Sequence, residues 1–163
     1  MKRRDFLHLS LAGIAAMGLS GCGFRLRGLG SSGPTLEALA LNAADSDLAP
    51  VVRESLESAG TRLDVNAALR LNLGQERFRE ISLTHGDAGS QDTELQLTAP
   101  FSVQRAADGA YLLNQQQLDV STTFSVSDDD LLAQDDIRSE ARERLRRDAA
   151  RQLIERLRPL AER

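Results

Sequence analysis

The sequence predicts an α+β fold: two helices packed on one face of a four-stranded, mostly antiparallel (mixed) sheet. Three observations predict it. Apolar residues alternate at period two around residues 69–73, 95–103 and 118–126. They recur at helical spacing around residues 48–59 and 137–157. The resulting order is one strand, one helix, three longer strands and a long terminal helix, which places both helices on one face of an antiparallel sheet.

The elements follow in order. A first strand is expected at 36–41, with Leu39 and Leu41 on one face. The helix after it takes an N-cap from Asp45 to Asp47, accommodates Pro50 in its first turn and stops at Gly60. Its stripe is Leu48, Val51, Val52, Leu56 and Ala59. A helical crossover allows the first strand to pair in parallel. From Ala68 the period becomes two: Leu69, Leu71 and Leu73 alternate with Arg70 and Asn72. This strand should continue through Phe78 to Leu83 with a bulge or bend near Gly74, because Phe78 has the opposite parity. A polar loop from His85 to Asp92 leads to the clearest strand, Leu95, Leu97, Ala99, Phe101 and Val103. Pro100 lies on its other face and lacks an N–H, so an edge strand or a bulge is expected there. Residues 106–109 (Ala-Ala-Asp-Gly) read as a hairpin loop. The return strand carries Tyr111 and Leu113, then Leu118, Val120, Thr122, Phe124 and Val126, with a bulge where the parity changes.

The last helix is expected after the acidic residues 128–130, 135 and 136, which suit a helix N-terminus. Ile137, Ala141, Leu145, Ala149, Leu153 and Leu157 recur at spacing four, so the row winds slowly around the axis. Between Ile137 and Leu157 seven arginines stand with four acids. Most of these arginines read as a solvated face with i,i+4 ion pairs, such as Glu140 with Arg144 and Glu143 with Arg147. Contact with phosphate or acidic groups is the functional alternative.

The N-terminus is set apart from the fold. Lys2, Arg3 and Arg4 precede a mostly apolar run from Phe6 to Met17, too short to span a bilayer. Leu19-Ser20-Gly21-Cys22 follows and resembles a bacterial lipobox. That resemblance implies a cleaved signal peptide at 1–21 and lipid on Cys22. Residues 22–35 then form a lipidated N-terminus and flexible tether, and 36–163 a single α/β sandwich domain. One acyl chain binds membranes marginally and two or more anchor stably. Gly23 after the cysteine resembles an outer-membrane address, with the anchor facing the periplasm. Arg3-Arg4-Asp5-Phe6-Leu7 also resembles a twin-arginine export signal, and an ordinary secretory n-region remains the alternative.

The full chain of 163 residues has a net charge of −4, with 20 basic and 24 acidic residues. Its only lysine, Lys2, leaves with the signal. Removing residues 1–21 takes three basic residues and one acidic residue, so the remainder carries −6. This balance argues against a nucleic-acid partner. Cys22 is the only cysteine, which excludes an intramolecular disulfide framework and a multi-cysteine zinc site. No catalytic constellation appears. After the signal only His85 could serve a triad, no nucleophile elbow accompanies it, and a solvated loop residue is the simpler reading. The aspartates at 128–136 lack the spacing of a calcium loop. The expectation is therefore a protein that is not an enzyme, has no metal site, and has no cofactor beyond the covalent lipid on Cys22.

Several motifs now converge. Cys22-Gly23-Phe24-Arg25-Leu26-Arg27-Gly28 follows the lipobox. The body carries Thr93-Glu94-Leu95-Gln96-Leu97, the Asp108-Gly109 hairpin and the Phe124 strand. Leu132-Ala133-Gln134-Asp135 then precedes Arg147-Asp148-Ala149-Ala150-Arg151-Gln152-Leu153. Together they resemble the LPS-assembly lipoprotein family, LptE. The resemblance implies a plug seated in the lumen of the outer-membrane barrel protein LptD, which assists barrel assembly and passes lipopolysaccharide to the outer leaflet. Family members often carry a lysine where Gln134 stands and an arginine near the position of His85. The candidate replacements for contact with lipid phosphate, chosen by charge and position, are Arg77, Arg79 and Arg105. The competing reading is a free-standing outer-membrane lipoprotein, or an auxiliary subunit of another lipid or solute transport system.

Overall fold

The apolar alternation from Leu95 to Val103 lies within the sixteen-residue strand on which the sheet is built. The computed structural model describes residues 36–83, 90–127 and 131–161. Their elements are β1 (Ala38–Ala43), α1 (Leu48–Ser58), β2 (Arg62–Leu63), β3 (Leu69–Leu73), β4 (Arg77–Ser82), β5 (Ser90–Arg105), β6 (Tyr111–Ser127) and α2 (Leu131–Ala161). β6 runs antiparallel along one side of β5. On the other side, β3 pairs with the C-terminal third of β5 and β4 with its N-terminal half, both antiparallel. β1 joins β3 in parallel and carries β2 in parallel on its far side. The two-residue crossover partner β2 was not expected from the sequence. With β3 and β4 separate, the anticipated four strands become six.

The division of β3 from β4 has a steric cause. At Gly74 a Cβ would lie 2.6 Å from Pro100 Cγ. The Gly74 N–H donates to the Pro100 carbonyl at 2.8 Å. Pro100 therefore turns its backbone toward residues 74–76, where no strand waits for the N–H it lacks. This corrects the expectation of an edge strand: β5 is central, and proline is tolerated opposite the interruption.

The inner face of the sheet holds the core. Leu95, Leu97, Ala99, Phe101 and Val103 are all buried, with Leu39, Leu71, Leu73 and Leu118 beside them. Leu48, Val52 and Leu56 of α1 and Ala141, Leu145, Ala149, Leu153 and Leu157 of α2 cover them. Burial of these side chains, at about 1.5–3 kcal/mol for each large one, is the main force holding the helices to the sheet. Gly60, at φ +92°, ends α1 in a conformation that favours glycine. Asp47 stands at the N-cap of α1, but its side chain makes no capping bond.

Some boundaries move. The first strand begins at Ala38, so Leu36 is buried ahead of it. α2 begins at Leu131, and Gln134, Asp135 and Asp136 lie inside it instead of before it. β5 already starts at Ser90, within the expected loop. The pairs Phe101–Gln116, Val103–Leu113 and Gln104–Tyr111 show two extra residues on β6. One bulge was expected. The second separates Leu113, opposite buried Val103, from Tyr111, which is 57% exposed.

Candidate functional site

Alternation along β4 decides where its charges go. Phe78 and Glu80 turn to the helix side, so Arg77 and Arg79 share the open face of the sheet, one side-chain repeat apart (about 6.6 Å). Their cross-strand neighbours are Thr98 and Gln96. Gln96 Nε2 is bonded to Asp119 Oδ1 at 2.8 Å, which holds the nearby carboxylate one strand further away. Arg77 and Arg79 make no ion pair among the described residues. Arg70 projects on the same face from β3, in register with Gln104. Beside it Asn42, Asn72 and Ser102 form a row across three strands, with Asn42 Nδ2 on Asn72 Oδ1 at 3.0 Å and Asn72 Nδ2 on Gln104 Oε1 at 3.0 Å. This face is polar and carries free guanidinium forks, which suit bidentate contact with phosphate or carboxylate.

Arg105, the third candidate, does not join them. It lies seven positions beyond Thr98 on β5, and its Nη1 is 2.7 Å from Asp108 Oδ2. Asp108 also accepts the Ala110 N–H at 3.0 Å. That N–H, with the Arg105 guanidinium, holds the Asp108 carboxyl below its ordinary value of 3.8. Arg105 thus closes the hairpin.

The arginines of α2 are mostly occupied: Arg138, Arg147, Arg151 and Arg158 make local i,i+3 or i,i+4 pairs, and Arg138, Arg142, Arg146 and Arg156 reach partners far along the chain. Arg146 is the hub. It meets Glu76 through Nε (3.1 Å) and Nη2 (3.0 Å), and Asp47 through Nη2 at 2.9 Å. Its guanidinium lies 5.4 Å from the Phe78 ring centre. Arg146 is only 16% exposed and Glu76 8%. One side chain therefore ties α2 to the β3–β4 interruption and to the start of α1. Arg138 and Arg142 reach Glu80 at 3.8 and 3.6 Å. Arg156 donates to the Gln117 carbonyl at 3.0 Å. The expected Glu143–Arg147 pair is present at 3.7 Å. The expected Glu140–Arg144 pair is absent among the described residues. No sequence signal marked Arg146, because its partners are 70 and 99 residues away.

Cys22, the tether, His85 and residues 128–130 lie outside the described residues. Among the described residues no group of histidine, cysteine and carboxylate side chains is arranged to hold a metal ion.

Residues 34–157 match the LptE family, described as lipopolysaccharide-assembly. The chain belongs to this family. The match begins just ahead of β1 and ends within α2, so it takes in the entire sheet. Solved lipoproteins share the fold. Lipoprotein B from Nitrosomonas europaea aligns with a TM-score of 0.66 at 16% identity, over 86% of this chain and 94% of that one. A minor lipoprotein from Acinetobacter baumannii gives 0.60 at 17%, over 77% and 92%. Rare lipoprotein B from Shewanella oneidensis gives 0.58 at 19%, over 74% and 92%. At these identities the LptE-like architecture is shared while few side chains are.

Proposed function

We propose that this LptE-family protein is an outer-membrane lipoprotein, anchored by acyl chains on Cys22 and facing the periplasm. In this reading it sits as a plug in the lumen of the LptD β-barrel, assists the barrel's assembly and helps pass lipopolysaccharide to the outer leaflet. The observation that carries the reading is the family match over residues 34–157, directly after the lipobox and tether. The open face of the sheet supports it. A surface of amides, hydroxyls and free arginines suits a polar barrel lumen better than lipid. No helix among the described residues is long and apolar enough to cross a membrane, and the anchor in this reading is Cys22. The protein binds and positions, without catalysis and without a cofactor beyond its lipid. Arg77 and Arg79 are the side chains assigned to lipid phosphate, and Arg105 is left to its hairpin.

The test is affinity purification of the acylated protein from outer membranes, with depletion in parallel. Co-purification of a large β-barrel is expected, with loss of that barrel's correct assembly on depletion. Recovery as a lone monomer, with normal lipopolysaccharide export after deletion, overturns the reading. Cys22→Ala is expected to keep the fold and lose detergent partitioning. Unchanged partitioning of that variant refutes the anchor.

A further inference from the structure

In a regular strand Leu113 and Tyr111 share one face, because side chains alternate at period two. Here Leu113 opposes Val103 and Tyr111 opposes Gln104, so the bulge sends them to opposite faces. Leu113 packs on the core. Tyr111 joins Gln104 on the open face and stays 57% exposed. Gln104 is in register with Arg70, and Arg70 with Ala40. These four residues form one row across four strands, with about 10 Å between the backbones of Tyr111 and Arg70. The row of Asn42, Asn72 and Ser102 lies beside it, about 6.6 Å along the strands. Above the small Ala40 is a hollow of about 360 Å³, which Asn42, Val65 and Arg70 also line.

The polar groups at this end of the sheet have bonding capacity to spare. Arg70 makes no ion pair among the described residues. Asp64, next after Leu63 of β2, accepts the Asn66 N–H at 2.9 Å. Asn72 accepts from Asn42 and donates to both Gln104 and Ser102. Asn42 Oδ1 and Gln104 Nε2, at the two ends of that chain of amides, have no partner among the described residues. One is an acceptor and the other a donor. A free guanidinium, an acceptor, a donor and an exposed aromatic ring thus occupy one end of the open face. A pyranose ring matches this set. It offers C–H groups on its faces to an aromatic ring, and hydroxyls on its rim that both donate and accept. An acidic sugar adds a carboxylate or phosphate that suits the guanidinium fork.

We propose that this end of the open face is a subsite for acidic sugars. Tyr111 stacks on a pyranose ring, Arg70 takes the acidic group, and Asn42 and Gln104 take hydroxyls. The inference rests on the lipopolysaccharide reading for the molecule that carries the sugars. Gln104 and Thr98 are six positions apart on β5, so Arg70 and Arg77 stand about 20 Å apart on one face. An extended glycolipid spans both, with its phosphates at Arg77 and Arg79 and its sugars at Arg70 and Tyr111.

The test is titration of the full acylated chain, in detergent, with the acidic oligosaccharide that mild acid releases from lipopolysaccharide. Tyr111 is the only tyrosine and the chain has no tryptophan, so its emission reports on the subsite directly. A saturable change in that emission is expected. In calorimetry, Arg70→Gln and Tyr111→Ala should each weaken binding about tenfold, and Tyr111→Phe no more than about twofold. Neutralising the sugar, by carboxyl reduction and removal of phosphate, should weaken its binding to the parent about tenfold and to Arg70→Gln little further. Arg77→Gln with Arg79→Gln should leave the oligosaccharide bound as before. Thermal unfolding checks that each variant keeps the fold. The proposal is overturned by absence of saturable binding, or by binding that Arg70→Gln or Tyr111→Ala leaves unaltered. It is equally overturned if the neutral sugar binds as tightly as the acidic one, or if a polyglutamate peptide displaces the sugar at equal concentration. Intact glycolipid that binds through Arg77 and Arg79 while the oligosaccharide does not bind leaves the lipopolysaccharide reading standing without this subsite. Oligosaccharide binding without co-purification of a barrel keeps the subsite and removes the barrel reading.

Discussion

The two faces of the sheet handle arginine in opposite ways. On the inner face, guanidinium groups descend from α2 and end on a carboxylate, an aromatic ring or a backbone carbonyl, as Arg142, Arg146 and Arg156 do. On the outer face, Arg70, Arg77 and Arg79 end in solvent, among amides and hydroxyls. β4 displays both behaviours in consecutive residues, since Phe78 supports Arg146 while Arg77 and Arg79 point the other way. A charge is held where an apolar face brings a partner close and removes competing water, and stays available where the face is open. Arginine content alone is therefore a poor guide to binding in this protein.

The contrast can be broken from its apolar side first. Leu97 lies between Phe78 and Val120 on the inner face and is fully buried. Leu97→Ala is expected to cost about 2–5 kcal/mol in denaturant unfolding. A loss near zero would mean that the inner face is not the core.

The next effect concerns the held arginine. Arg146→Met leaves Glu76 nearly buried without its counter-charge, and a loss of about 2–3 kcal/mol is expected. Pairing it with Glu76→Leu should recover part of the loss, which a double-mutant cycle measures. If the single variant is as stable as the parent, Arg146 is not the hub that its geometry indicates.

For the available arginines the expectation reverses. Arg77→Gln with Arg79→Gln should change stability by no more than about 0.5 kcal/mol. It should weaken binding of a bisphosphorylated glycolipid about tenfold in titration, and leave binding of the dephosphorylated lipid unchanged. A large stability loss would show that these side chains serve the fold.

The smallest effect lies at the hairpin. The Ala110 N–H and then Arg105 hold Asp108 below 3.8 in the folded protein. Its contribution is therefore fully present above the unfolded value and is lost as pH falls through the lower, folded one. A carboxyl titration by NMR should place Asp108 below 3.8, and Asp108→Asn should remove a slight acid-side loss of stability. A midpoint at or above 3.8 would refute the pairing.

Much of the fold was readable in advance. The alternation from Leu95 to Val103 requires one buried face, and the structure buries all five residues. The parity change at Phe78 placed a bend near Gly74, where the strand divides. Other features were not readable. β2 is two residues long and has no periodicity to detect. The bulge between Leu113 and Tyr111 preserves their spacing in sequence and changes only what they oppose. Sequence position named Arg77, Arg79 and Arg105 together, and only Arg77 and Arg79 share the open face of β4. It gave no sign that Arg105 was taken by Asp108, although the spacing of three in a turn was a possible hint.

Local patterning in the chain dictated both helices, the long strands and the faces they bury, the hairpin and the motifs of the LptE family. These are local, written in periodicity and short spacing. The tertiary structure alone decided which arginines are held and which are free, and that Pro100 sits opposite an interruption of its neighbour. Each of these depends on groups tens of residues apart meeting across the sheet. Such meetings are set by register and helix packing, and they leave no periodic trace in the chain.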